Sequence, residues 1–159
     1  LLTKIFVATY QGKELGYTRV VDMTEDFSAI YEDKVSRITE SYVKPPYRNQ
    51  GVVTALRRYA VKHEHVRTMR IETYRFFKKK AYFESEGFFY AYSISDEMCI
   101  ICTRDFFESL AAYNKVMSAS SSAVGLKLTV VSAKNSGPFF VSMIYIPAIL
   151  LTPSSVPII

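Results

Sequence analysis

Two consecutive prolines, Pro45 and Pro46, stand between a run of β-forming residues and a run with helical spacing, and this junction constrains the fold more than any other feature of the chain. Val35 to Val43 reads as a strand. Proline has no amide proton to give a neighbouring strand, so the strand must end here. Val52, Val53, Leu56, Tyr59, Ala60 and Val61 then recur at helical spacing, with Arg57, Arg58 and Lys62 on the other side. The turn between them is short and contains Arg48 and Gly51. A strand that turns so abruptly into a helix aims the free N–H groups of the first helical turn at one point. With the helix dipole, that point is an anion site. Gly51 lets a phosphate approach the main chain with no Cβ in the way. The site needs no metal.

The flanking sequence supplies the sheet. Lys4 to Tyr10 and Leu15 to Met23 alternate as a hairpin around Gln11-Gly12-Lys13-Glu14. Thr24 to Asp33 reads as a polar, acidic connection. Val66 to Tyr74 alternates again, and Arg75 to Glu86 suits a helix closed by Gly87. Phe88 to Ile94 and Met98 to Thr103 read as strands joined at Ser95-Asp96-Glu97. Asp105 to Ser118 suits a helix. Leu126 to Val131 and Phe139 to Ile146 read as late strands around Asn135-Ser136-Gly137. Strands and helices are mixed and several strands are hairpin-connected, which predicts a mixed-sheet α/β or α+β domain and argues against a pure doubly wound sheet. A length of 159 residues suits one domain with a real core.

With the loop and the element order in view, the chain resembles the GNAT superfamily of acyl-CoA-dependent N-acyltransferases over roughly residues 4–103. That family's pyrophosphate loop reads Arg/Gln-x-x-Gly-x-Gly/Ala after a strand ending in Val-x-Pro. Here the matching residues are Val43-x-Pro45 and Arg48-x-x-Gly51-x-Val53, with Val53 departing from the last small position. A second family element is a helix ending Phe-Tyr-x-x-x-Gly-Phe, against Tyr82-Phe83-Glu84-Ser85-Glu86-Gly87-Phe88 here. The resemblance implies a GNAT-like twisted mixed sheet flanked by helices, with an apolar C-terminal extension. It also implies acetyl transfer from acetyl-CoA to an amine, on a small molecule or on a protein lysine or N-terminus.

The same resemblance implies roles. Asn49, Gln50, Gly51, Val52, Val53 and Thr54 hold the pyrophosphate through their N–H groups, with Arg48 adding charge. The end of the strand, Tyr42 and Val43, lies along the cofactor, and a backbone N–H near Val43 faces the thioester oxygen as it becomes negative. In many members the second aromatic of the helix motif is a Tyr that protonates the departing thiolate. That position is Phe83 here, so either Tyr82 substitutes for it or the acid is absent. Glu40, three residues before Val43, is the candidate base that takes the amine's proton. The family's usual first strand and helices have no counterpart before Lys4, so the acceptor is the least legible property.

Charge divides the sequence. All 15 acidic residues and 17 of the 20 basic ones lie at or before Glu108; from Val116 onward only Lys127 and Lys134 are charged. This predicts an acetyltransferase-like unit over 1–108 and an apolar, Ser-rich extension over 109–159 that completes the core or forms an interface. Residues 116–159 are the expected oligomer contact. Between 57 and 80, nine bases face two acids, a density that fits nucleic acid, the 3′-phosphate of coenzyme A or an acidic partner protein. A GNAT-like fold reduced in catalysis and serving an assembly, as in viral particles, is the main alternative function, and a basic nucleic-acid-binding module is a further one. Cys99 and Cys102 stand three apart on a predicted strand, hence on opposite faces, which speaks against a metal or redox pair. No apolar run is long enough for a membrane span, and the first residues lack a targeting pattern. Both predict a cytoplasmic setting.

Overall fold

The computed structural model of the chain describes residues 2–119, 126–132 and 141–146, with side chains described over 2–117. Its strands are β1 (Thr3–Tyr10), β2 (Lys13–Asp22), β3 (Ser36–Val43), β4 (Val66–Glu72), β5 (Tyr90–Ser93), β6 (Met98–Cys102), β7 (Leu126–Ser132) and β8 (Val141–Ile146). Its helices are α1 (Val52–His63), α2 (Thr73–Lys78), α3 (Lys80–Ser85) and α4 (Arg104–Ala119). The strands form one mixed sheet in the order β1-β2-β3-β4-β6-β5-β7-β8. Only the β3–β4 pair is parallel, and α1 provides its crossover, as a parallel connection requires. The fold is the mixed α/β arrangement with flanking helices that the sequence predicts.

Each face of the sheet carries its own core. Val20, Ile38, Met69 and Ile101 pack against Ala60 of α1 and Phe76 and Phe83 of α2 and α3. On the other face Val21, Tyr92 and Ile100 pack against Phe106 and Leu110 of α4. Phe27 and Tyr31 join this second cluster, so the segment read as a polar connection in fact closes one face. Phe27 meets Phe106 edge-on at 5.1 Å, and the Tyr31 hydroxyl donates to Asp105 Oδ2 at 2.6 Å. Cys99 lies in the first cluster and Cys102 in the second, on opposite faces as their spacing requires. Burial pushes the Cys99 thiol up to about 11 and raises Cys102 further, leaving both as inert core groups.

The segment from Arg75 to Glu86 is not one helix. It breaks at Lys79, whose backbone leaves helical geometry at φ −114°, ψ 35°. The break falls where Arg75 meets like charges at i+3 and i+4, Lys78 and Lys79. Each such pair weakens a continuous helix by a few tenths of a kcal/mol. The strand before it also stops short, at Glu72 rather than Tyr74, because Thr73 already opens α2.

The boundary expected at 108/109 falls inside α4, whose Phe106 and Leu110 are both fully buried. Beyond α4, β7 adds to the sheet by antiparallel pairing with β5 (Tyr90↔Ser132, Tyr92↔Val130), and β8 pairs in turn with β7. The expected turn at Asn135-Ser136-Gly137 and the residues Phe139 and Phe140 lie outside the described residues. Among the described residues no helix is long and apolar enough to cross a membrane.

Candidate active site

The parallel pair of β3 and β4 stops early. Its register runs Ser36↔Val66, Arg37↔Thr68, Ile38↔Met69 and ends there, although β3 continues to Val43 and β4 to Glu72. A bulge marks the same place. Arg19 faces Glu40 while Val20 faces Ile38, so Thr39 is the extra residue on β3, and a bulge bends the strand that carries it. Past Thr39 the two strands diverge and leave a gap between them.

Which backbone groups face that gap follows from the pairing on the other side. Lys44 N–H donates to the Leu15 carbonyl at 2.9 Å. Along an antiparallel pair, residues that bond the neighbour alternate with residues that do not. Val43 and Ser41 therefore turn their N–H and C=O groups away from β2 and towards the gap. Gly16, opposite Val43, lets β2 and β3 lie this close. A Cβ at Gly16 would collide with the Tyr42 carbonyl oxygen and lie 2.9 Å from Val43 Cα.

At the mouth of the gap stands the N-terminus of α1. Pro45–Tyr47 forms one 3-10 turn. Asn49 and Gly51 then take positive φ angles of 61° and 84°, and Gly51 is the N-cap. No side chain caps the helix, so its first N–H groups remain available as donors. The Arg48 Nε donates to the Val43 carbonyl at 2.8 Å and its guanidinium lies 5.4 Å from the Tyr42 ring centre. Arg48 thus holds the loop against the end of β3, and Nε is committed to that role.

These elements enclose a cleft of about 500 Å³. Of the residues singled out from sequence, Tyr42, Val43, Arg48, Asn49, Gly51, Val52, Val53, Thr54 and Tyr82 line it. Gln50 does not; its Nε2 donates to the Pro46 carbonyl at 3.1 Å. Glu40 does not either. Its carboxylate takes a hydrogen bond from Tyr17 Oη at 2.6 Å and pairs with Arg19 Nη2 at 2.7 Å. Those partners share the face of β2 that carries Val21, away from α1. The bond to Glu40, aided by burial, raises the Tyr17 phenol above its ordinary value and keeps it protonated.

Tyr82 and Phe83 both reach the cleft. Tyr82 Oη lies 2.7 Å from Thr54 Oγ1, each able to donate, and it stands close enough to the Arg57 guanidinium to favour that group's charged form. Phe83 is 1% exposed and forms part of the core. Of this aromatic pair, therefore, only Tyr82 brings a hydroxyl to the cleft.

Sequence reasoning offered the basic run that contains Arg57, Arg75 and Lys79 to nucleic acid, the 3′-phosphate of coenzyme A or an acidic partner, without naming these three as site residues. All three line the cleft with Arg48, and no carboxylate lines it. The rest of the run is dispersed: Arg58 pairs with Glu86 at 2.9 Å, and Arg67 approaches Asp105 at 3.6 Å. Among the described residues no group of three His, Cys, Asp or Glu side chains is placed to hold a metal ion.

No family model matches the sequence, and no curated protein matches it. Among solved structures, the chain is similar to an acetyltransferase from Thermus thermophilus, with 17% identity and a TM-score of 0.45. That match covers 62% of each chain, so this chain spans less than two thirds of that protein. It is also similar to Chaetomium thermophilum Naa20 in complex with a bisubstrate analogue, with 20% identity and a TM-score of 0.45 over 64% of this chain and 67% of that one. A third similar structure is Arabidopsis thaliana NAA60 in complex with a bisubstrate analogue, with 13% identity and a TM-score of 0.41 over 60% and 68%.

Proposed function

We propose that this chain is an acetyl-CoA-dependent N-acetyltransferase that passes the acetyl group directly to an amine. One observation carries the reading: an unpaired strand end and an uncapped helix N-terminus open into the same cleft, among four cationic side chains and no acidic ones. A ligand that fits must be thin and extended at one end and polyanionic at the other. Acyl-coenzyme A has that form.

In this reading the N–H groups from Asn49 to Thr54 hold the pyrophosphate, joined by the helix dipole. The free N–H and C=O groups of Ser41 pair with the amide-bearing arm. Bound acetyl-CoA supplies an activated thioester, whose carbonyl carbon bonds to the amine nitrogen as its C–S bond breaks. The Val43 N–H donates to the carbonyl oxygen as charge gathers there. Tyr82 gives its phenolic proton to the departing sulfur and recovers one through Thr54 or solvent. Glu40, on the side of the sheet away from α1, takes the proton that the amine loses. The acceptor therefore approaches from the face opposite the cofactor loop.

Calorimetric titration of acetyl-CoA tests the reading, with Gly51→Glu and Gly51→Ala as companions. Gly51 has open space around a notional Cβ but a φ of 84°. The alanine variant therefore isolates the backbone cost, about 1 kcal/mol, from the effect of charge. Binding by the native chain that survives in Gly51→Ala and disappears in Gly51→Glu supports the assignment. No binding by the native chain overturns it.

A further inference from the structure

On the side of the sheet that carries Glu40, one charge has no partner. Directly opposed residues of an antiparallel pair point to the same face. Arg70 on β4 opposes Ile100, and Thr68 opposes Cys102. Ile100 and Cys102 both belong to the core packed against α4, so Arg70 projects on that face. Glu40 projects there too, because it opposes Arg19, which alternates with Val21 of the same core. The two residues also stand level. The last parallel pair is Ile38↔Met69. Arg70 is the next residue on β4, and the extra residue Thr39 brings Glu40 up beside it on β3. Glu40 and Arg70 therefore flank the opening between the strands on the face away from α1.

Arg70 differs from the neighbouring arginines of this face. Arg19 pairs with Glu40 at 2.7 Å. Arg37 donates from Nε to Thr68 Oγ1 at 3.1 Å and from Nη2 to Tyr92 Oη at 3.2 Å. Arg70 forms no salt bridge among the described residues, and its Nε is buried without a hydrogen-bond partner. The residue as a whole is half-buried, so part of it stays open to a solute. Across the opening Thr39, only 1% exposed, likewise has no partner for its Oγ1. A buried donor left without an acceptor is costly, most of all when charged. Both orphaned groups lie where the strands part. A carboxylate suits the arginine, because its two oxygens match the guanidinium fork. Glu40, on the other side of the opening, sets the opposite requirement: an amine. The amine and carboxylate of an amino acid lie close enough for one molecule to meet both side chains.

We propose that the acceptor is a free amino acid, whose carboxylate is held by Arg70 while its amine meets Glu40 and the thioester carbonyl. The proposal rests on the acetyl-CoA reading above and names the acceptor class for it. Arg70 is then the residue that sets acceptor specificity. The carboxylate takes no part in bond making. The amine nitrogen bonds to the acetyl carbon as the C–S bond breaks, Glu40 takes the amine's proton, and the sulfur leaves protonated by Tyr82. The product is an N-acetyl amino acid. A simple amine or a peptide N-terminus has no carboxylate beside its nitrogen and leaves Arg70 unanswered.

Coenzyme A release by the full chain at saturating acetyl-CoA tests this, with the acetylated products identified by mass spectrometry. The acceptors are an equimolar pool of the common amino acids and a matching pool of their carboxamides, which lack only the charge. The native chain should use the acids with a kcat/KM at least about tenfold above that for the amides. Arg70→Gln should raise KM for the acids by about 10–100-fold, with kcat and the amide rates little changed, and Arg70→Lys should recover part of the loss. Acetyl-CoA affinity, read by calorimetry, should be the same in both variants, which shows that fold and cofactor site persist. Amides used as well as or better than acids by the native chain overturn the proposal, and that comparison needs no variant to fold. A loss in Arg70→Gln shared equally by both pools also overturns it. Acetyl-CoA binding with turnover of neither pool overturns the acceptor class and leaves the cofactor reading standing. Failure of the native chain to bind acetyl-CoA overturns both.

Discussion

Tyr82 and Phe83 show how much one residue's setting on a helix decides. Sequence places an aromatic pair before Gly87 but cannot say which member faces the ligand, because adjacent helical residues point about 100° apart. The break at Lys79 resets that direction and brings the Tyr82 hydroxyl to the cleft beside Thr54. Tyr82→Phe should lower kcat for acetyl transfer by about 10–100-fold with little change in acetyl-CoA affinity, read by steady-state kinetics and calorimetry together. A loss confined to affinity would assign Tyr82 to binding. Glu40→Gln should cost about 100-fold in kcat. It should also release Tyr17, whose phenol then titrates nearer the ordinary value of about 10, visible by ultraviolet absorbance. Gly51 and Arg48 were legible from sequence because their chemistry sits within one short turn. Arg57, Arg75 and Lys79 come to line one cleft only through the folded paths of α1 and α2, which no local pattern encodes.

Among the elements, β3 positions everything else, and the close approach of its end, beyond Thr39, to β2 depends on Gly16. Gly16→Val would push a side chain into the Tyr42 carbonyl and Val43. It should destabilise the fold by about 1–3 kcal/mol in a denaturant melt and weaken acetyl-CoA binding more than Gly12→Ala, whose site is open. Helix α4 is tied to the loop beneath it by Asp105. Burial alone would raise that carboxyl, but hydrogen bonds from Thr103 and Tyr31 and the Arg67 charge bring it below its ordinary value. A depressed carboxylate stabilises the fold above its unfolded pKa, about 3.9, and that contribution fades as pH falls through the lower folded value. Asp105→Asn should therefore flatten the loss of melting temperature below about pH 4 and lower it at neutral pH. Strand periodicity and the proline stop were legible because each is a property of a few neighbouring residues. The core role of Phe27 and Tyr31 was not, because two aromatics in an acidic stretch show no period.

For the molecule as a whole, the contrast between the charged first two thirds and the apolar remainder coincides with an extension of one sheet: β7 pairs directly with β5. Ending the chain at residue 119 would uncover the hydrogen-bonding groups of Tyr90, Ala91 and Tyr92. Such a truncation should self-associate with rising concentration in size-exclusion chromatography, whereas an extension serving only as an oligomer contact would leave a monomer. The divergence of β3 and β4 has the opposite character. Its unpaired amides are flanked by the sheet's own strands, so a slender guest laid between them would complete the hydrogen bonding that β4 leaves unmade. The amide protons of Ser41 and Val43 should accordingly exchange quickly with deuterated solvent in the free protein and become protected only when a slender guest occupies the opening, making their exchange rates a direct reporter of occupancy.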